Sequence, residues 1–355
     1  MRTFEGMAGN EPALRVLSRA LASDDAAHAY LFHGPPGVGK ETAARRFGAS
    51  LVAGGDETAQ SRALRGLHPD LTTVEPEGRF TTIGQVREVL SLAASRPFEG
   101  ARRVFVLRAN TLNVQAANAL LKTLEEPEGG AVFLLLAVSL ESVLPTVVSR
   151  AQSVRFNPVP REEVVSFLLW RGYDEEEARL AASLGRGSVG LSLRYAAEGE
   201  LRELRRAVLG AGFMFSANFD ERARAVEALV ARAEEVGAAR EREYLAGFED
   251  GADRRAKDAA KRLGKAARDG AVAEALELLA LLYRDAAVAA AGAEELVANV
   301  DRAGEIRARV EEHRGADWSG AARVLREAGE GLQYNVPPEA ILEVALSRTR
   351  RKVLG

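Results

Sequence analysis

The chain has 355 residues, 47% hydrophobic and 28% charged, with a formal net charge of −3. That is enough for two or three domains of about 150 residues each, but a dedicated nucleic-acid binder would be basic, so any such contact has to come from a local patch or from partner subunits. The lack of cysteine excludes disulfides, cysteine zinc sites and cysteine nucleophiles, and aromatics at 6% favour packed helices over a sandwich or barrel.

The N-terminal residues have no apolar signal-peptide core, and the most apolar stretch, Ala131 to Leu140, is too short to span a bilayer. A soluble cytoplasmic protein is expected. Leu14, Leu17 and Leu21 recur at helical spacing and predict a first helix over Glu11 to Ala22. His28 to His33 is a short apolar strand that runs into a Gly/Pro cluster, and Glu41 to Ala53 is a helix ended by Gly54 and Gly55. Asp70 to Glu75 reads as a second strand, Ile83 to Ala94 as a helix, and Arg103 to Leu107 as a third strand, apolar on both faces as parallel sheets require. Asn113 caps a helix from Val114 to Glu126, which Pro127 stops. Strands follow at Ala131 to Ala137 and Ser153 to Phe156, around a short helix from Ser142 to Arg150. This alternation predicts an α/β domain with a mostly parallel sheet.

After Asn157 to Pro160 the character changes. Arg161 to Arg171, Asp174 to Ser183 and Val189 to Glu198 read as three short helices. From about Leu201 the pattern is all helical and alanine-rich, with breaks expected near Gly264, Gly270, Gly292, Gly304 and Gly315. Glu249 to Arg268 is very polar, either a long solvated helix or a partly mobile one, and Pro337-Pro338 opens a last helix. None of His28, His33, His68 and His313 has metal-ligand spacing.

The segment Gly34 to Thr42 (GPPGVGKET) follows a strand and opens a helix, the context of a Walker A phosphate loop. Gly34, Gly37 and Gly39 let backbone N–H groups curl around phosphates, and Lys40 adds charge at the β/γ end. The next position should carry a hydroxyl for Mg²⁺, yet it is Glu41; Thr42 lies about 100° further round the helix. The third strand should end in acids that hold the metal and activate water, but ends in Arg108 and Ala109. Asp70, the other acid considered, has the wrong strand position. Hydrolysis by this chain alone is not expected, while nucleotide binding without turnover stays open.

The stretch Asn113 to Pro127 (NVQAANALLKTLEEP) resembles the clamp-loader signature of bacterial DNA polymerase III, whose part matching Ala119 to Pro127 is shared by the gamma/tau and delta-prime subunits. The absent acids after the third strand, His68 to Leu71 followed by Val74 to Gly78 and Ile83, Leu282 to Asp285, and Tyr334 to Glu343 are more similar to delta-prime. The resemblance implies an AAA+ RecA-like P-loop domain with a parallel sheet over residues 1–157, a small helical lid over 158–200 and an all-α collar domain over 201–355. It implies a non-catalytic stator in DNA replication, working with gamma/tau and delta to load the β sliding clamp onto primed DNA, with no membrane partner. The alternative left open is an active gamma/tau-like ATPase. Where relatives carry a four-cysteine zinc module, Gly54 to Ser61 has none, so no zinc is expected, and Gly190 stands where active relatives have a phosphate-reading arginine. Ser149-Arg150-Ala151 resembles the family's Ser-Arg-Cys motif, whose arginine acts in trans on a neighbour's nucleotide. From the residues alone, Arg150 reads instead as a cation capping a helix C-terminus.

Overall fold

The computed structural model describes residues 2–23, 25–76, 80–125, 130–197, 199–214, 218–248, 253–334 and 336–355. The expected stop at Glu126 and Pro127, Gly78 of the delta-prime-like segment, Glu198, the start of the polar stretch at 249–252 and Asn335 lie outside these residues. The chain divides into two compact units, one formed by Met1–Ala178 and Gly185–Ser192, the other by Arg179–Leu184 and Leu193–Gly355.

The first unit is built on five strands: β1 (Ala29–His33), β2 (Leu71–Val74), β3 (Arg103–Arg108), β4 (Ala131–Ala137) and β5 (Gln152–Arg155). They lie in the order β2-β3-β4-β1-β5, every pair parallel. Side chains alternate across each strand. Tyr30, Phe32, Val104, Val106 and Leu134 point to one face, against α1 (Glu11–Ala22) and α2 (Lys40–Ala53). Leu31, Phe105, Leu107, Phe133 and Leu135 point to the other, against α4 (Ile83–Ala93) and α5 (Val114–Glu125). All seven residues of β4 are buried, which is why its sequence shows no alternation. Each large side chain so enclosed contributes about 1.5–3 kcal/mol, and Phe105 stacks on Phe133 with centroids 5.5 Å apart.

Local chemistry sets the helix ends. Thr82 and Gln85 form a reciprocal capping box before α4, and Asn113 Oδ1 accepts the Ala116 N–H at 2.8 Å to start α5. One further helix, α3 (Glu57–Leu64), is capped by Asp56. The expected helix over Ser142 to Arg150 is shorter, α6 (Pro145–Val148), because Pro145 starts it at its first turn. α7 (Arg161–Trp170), α8 (Glu175–Gly185) and α9 (Val189–Ala196) follow.

The second unit holds α10 (Glu200–Ala211), α11 (Phe219–Ala246), α12 (Arg254–Ala290), α13 (Ala303–Glu312), α14 (Trp318–Ala328) and α15 (Pro338–Leu354). The breaks expected at Gly264 and Gly270 do not occur: α12 runs through both. Gly264 faces Gly237 of α11, and a Cβ on either would come within 2.9 Å of the other's carbonyl oxygen. The glycines bring two backbones together rather than ending a helix. Asp285, fully buried, accepts the Ala298 and Asn299 N–H groups at 3.1 and 2.8 Å, so the Leu282–Asp285 motif fastens α12 to the segment after it. Among the described residues no helix is long and apolar enough to cross a membrane.

Candidate functional site: a phosphate loop facing an arginine

β1 delivers the chain at His33 into a turn that opens α2 at Lys40. Gly34, Gly37 and Gly39 have φ of 143°, 73° and 102°, a region that disfavours any other residue. Two of these positions also lack room: a Cβ would lie 1.9 Å from the Phe156 carbonyl oxygen at Gly34 and 2.0 Å from Ser188 Oγ at Gly37. The Gly190 N–H donates to the Gly37 carbonyl at 2.9 Å, so the first turn of α9 rests on the loop. Asn10, itself left-handed at φ 57°, donates Nδ2 to the carbonyls of Val38 and Asn157 at 3.2 and 3.1 Å and accepts the Asn157 N–H at 2.7 Å. Its amide thus ties the loop to the segment leaving β5.

Lys40 turns back on this loop. Its Nζ donates to the carbonyls of Gly34 and Pro35, both at 2.5 Å. Burial, and then the positive charge of Arg108, lower its pKa to about 8. Thr42 is exposed, two residues further along α2.

Glu41 and Arg108, 67 residues apart in sequence, meet: Arg108 Nη2 lies 3.0 Å from Glu41 Oε2. Arg108 Nε reaches Glu75 Oε2 at 3.4 Å. Both pairs are about half exposed, so each is worth no more than about 1 kcal/mol. Their importance lies in where charge is placed. The guanidinium ends β3, between the carboxylates of α2 and of the segment after β2, where a divalent cation would need acids. Ala109 beside it is buried and has no ligand atom. These residues do not suit Mg²⁺, because the nearest carboxylate already faces a guanidinium. Asp70 is far from this place, at the opposite end of the sheet. There it accepts the N–H groups of Phe98, Glu99 and Gly100 at 2.7, 2.9 and 2.8 Å and pairs with Arg103 at 3.0 Å.

Arg150 stands apart from the loop. It lies two residues before β5, and β5 starts level with Tyr30 on β1. The phosphate loop leaves the other end of β1, about 13 Å along the strand direction. Arg150 Nη1 donates to Thr146 O at 2.9 Å and Ser149 Oγ at 3.2 Å; Nε donates to Glu125 Oε1 at 2.6 Å, and Nη2 pairs with the same oxygen. Ser149 Oγ itself donates to Thr146 O at 3.1 Å. The structure therefore groups Gly34, Gly37, Gly39 and Lys40 in one loop, with Thr42 beside it, and sets Ser149 and Arg150 at the other end of the sheet. Sequence reading missed Asn10, Glu75 and Glu125, whose partners are distant in the chain, and Ser188, which packs on Gly37.

A parallel sheet with a glycine loop after β1, leading through Lys40 into a helix, defines a P-loop-type α/β fold, here with Arg108 and Ala109 rather than acids at the end of β3. Residues 9–160 match the family described as "DNA polymerase III, delta subunit". The chain is 39% identical over 135 residues to the DNA polymerase III subunit delta' of Pseudomonas aeruginosa, covering 35% of this chain and 41% of that one. It is 30% identical over 179 residues to the subunit delta' of Bacillus subtilis, covering 48% and 54%, and 29% identical over 171 residues to subunit tau of the same organism, covering 46% and 30%. The chain spans about half, or less, of the length of these relatives. Over residues 9–160 the chain is similar to this family, and the resemblance to delta-prime read from the sequence is borne out.

Proposed function

We propose that the chain is a non-catalytic, delta-prime-type stator subunit of a DNA polymerase III clamp loader. In this reading it sits in the cytoplasm beside gamma/tau ATPase subunits and delta. It supports the ATP-driven loading of the β sliding clamp onto primed DNA, and it lends Arg150 to the nucleotide site of a neighbour.

The observation that carries the reading is the Glu41–Arg108 ion pair. Hydrolysis in this fold needs a metal bridging the β- and γ-phosphates and an acid or amide orienting water. Here a fixed cation of the protein stands where the metal's ligands belong, and Lys40 is engaged by its own loop. Any ATP taken up by Gly34, Gly37, Gly39, Lys40 and Thr42 is held without turnover. No zinc takes part. The placement of Arg150 supports a role in trans. It stands at the end of the sheet away from its own loop, so it has no route to its own nucleotide, whereas an arginine offered to a neighbour stabilises transition-state charge.

The likeness to tau favours a second reading, an active gamma/tau-like ATPase. Two measurements separate them. The purified chain with ATP and Mg²⁺ is expected to release no phosphate above background; steady metal-dependent release would establish the second reading instead. In a loader reconstituted with gamma/tau and delta, Arg150→Ala is expected to leave the subunit assembled and to cut turnover at the adjoining site by about 10³-fold or more. Full turnover in that assembly would remove the role in trans.

A further inference from the structure

We propose that Glu125 is a cis catch for Arg150, holding its guanidinium folded onto its own subunit until a neighbour's polyphosphate competes it away. The inference rests on the reading of Arg150 as acting in trans, and assigns a second residue to that site.

Every nitrogen of the Arg150 guanidinium is engaged inside the free chain. Nη1 has Thr146 O and Ser149 Oγ; Nε and Nη2 share Glu125 Oε1. The contacts use four of the five guanidinium N–H groups, so a two-pronged grip on a phosphate across a subunit boundary requires breaking some of them. The partners differ in kind. Thr146 and Ser149 belong to the turn that carries Arg150 and offer neutral oxygens. Glu125 belongs to another element, the last turn of α5, and is the charged partner.

The base beneath the pair is firm. Leu124, next to Glu125, and Val147, three residues before Arg150, are both buried in the same apolar cluster on one face of the sheet. The catch is therefore set by packed elements rather than by a chance meeting of two surface side chains. Glu125 also stands against its local preference. A carboxylate in the last turn of a helix faces the negative end of the helix dipole, and Arg150 offsets that cost.

Magnitude decides which way the device works. The side chains are 32% and 48% exposed, and an ion pair this open is worth at most about five-fold in equilibrium (about 1 kcal/mol). A triphosphate carries several charges and outcompetes one carboxylate, so the catch yields on assembly. While closed it reduces the fraction of competent arginine and raises the apparent dissociation constant by the same factor.

The test uses the reconstituted loader with full-length chains. Glu125→Gln keeps the shape and removes the charge; it is expected to raise kcat/KM for ATP by about two- to five-fold, mainly through KM. The same substitution in an Arg150→Ala background is expected to change nothing, because Glu125 acts only through Arg150. A fall in kcat with Glu125→Gln, an unmoved kcat/KM, or an effect that persists without Arg150 each overturns the catch. If Arg150→Ala alone leaves turnover intact, the trans role has failed first; if Arg150→Ala is impaired and Glu125→Gln is silent, only the catch has failed. The free subunit gives a readout without turnover. The Arg150 Nε proton is expected to exchange with solvent more slowly in the wild-type chain than in Glu125→Gln, and equal rates count against the proposal.

Discussion

At the scale of single residues, the module is held by buried charge at one end of its sheet and carries re-sited charge at the other. Asp70 is the firm end. Burial alone would push its carboxyl up, but the N–H groups of Glu99, Phe98 and Gly100 and the Arg103 guanidinium outweigh burial and hold its pKa at about 2. A carboxylate whose pKa is depressed on folding contributes stability that is complete above its unfolded value near 3.8 and is lost as pH falls through about 2. Asp70→Asn leaves Arg103 buried without its counter-charge and is expected to cost about 3–5 kcal/mol at pH 7. Urea unfolding at pH 7 and again near pH 2 checks this: the gap between wild type and variant should narrow in acid, and a gap independent of pH would refute the assignment. The sequence put Asp70 next to a histidine and a proline but gave no sign of its partners, which lie 28 to 33 residues further on. Glu41 and Arg108 were each legible as departures from a metal site; that they answer one another was not, because nothing in the linear order brings positions 67 apart together.

At the scale of elements, glycine in α12 was misread, and the reason is instructive. Propensity makes glycine a helix breaker at about 1 kcal/mol relative to alanine, yet α12 passes through Gly264 and Gly270 unbroken. The two positions differ in their surroundings. A Cβ at Gly264 would meet the Gly237 carbonyl at 2.9 Å, whereas one at Gly270 would meet nothing within 4 Å. Gly264→Ala is therefore expected to destabilise, since about 1–3 kcal/mol of overpacking exceeds the propensity gain. Gly270→Ala in the same helix is expected to stabilise by up to about 1 kcal/mol. Opposite signs in denaturant midpoints confirm the close approach of α11 and α12, and equal signs dismiss it. α3 was missed for a related reason: its buried positions are only Ala59 and Ala63, and so small an apolar face gives little periodic signal. α1 and β4, by contrast, matched their expected bounds because leucine spacing and an unbroken apolar run speak directly for helix and buried strand.

At the scale of the molecule, the α/β module was legible almost entirely, since alternating strands and helices leave few arrangements for a parallel sheet. The all-helical part was legible as a class but not as a packing, because its long helices meet through small residues that carry no pattern of their own. The Glu75–Arg108–Glu41 bridge makes three positions of the sequence depend on one another. A hydroxyl at position 41 alone takes from Arg108 one of its two carboxylates, and an acid at position 108 alone crowds three carboxylates together. Either change alone leaves a charge of the bridge unanswered, so positions 41, 75 and 108 are expected to tolerate exchange together better than singly.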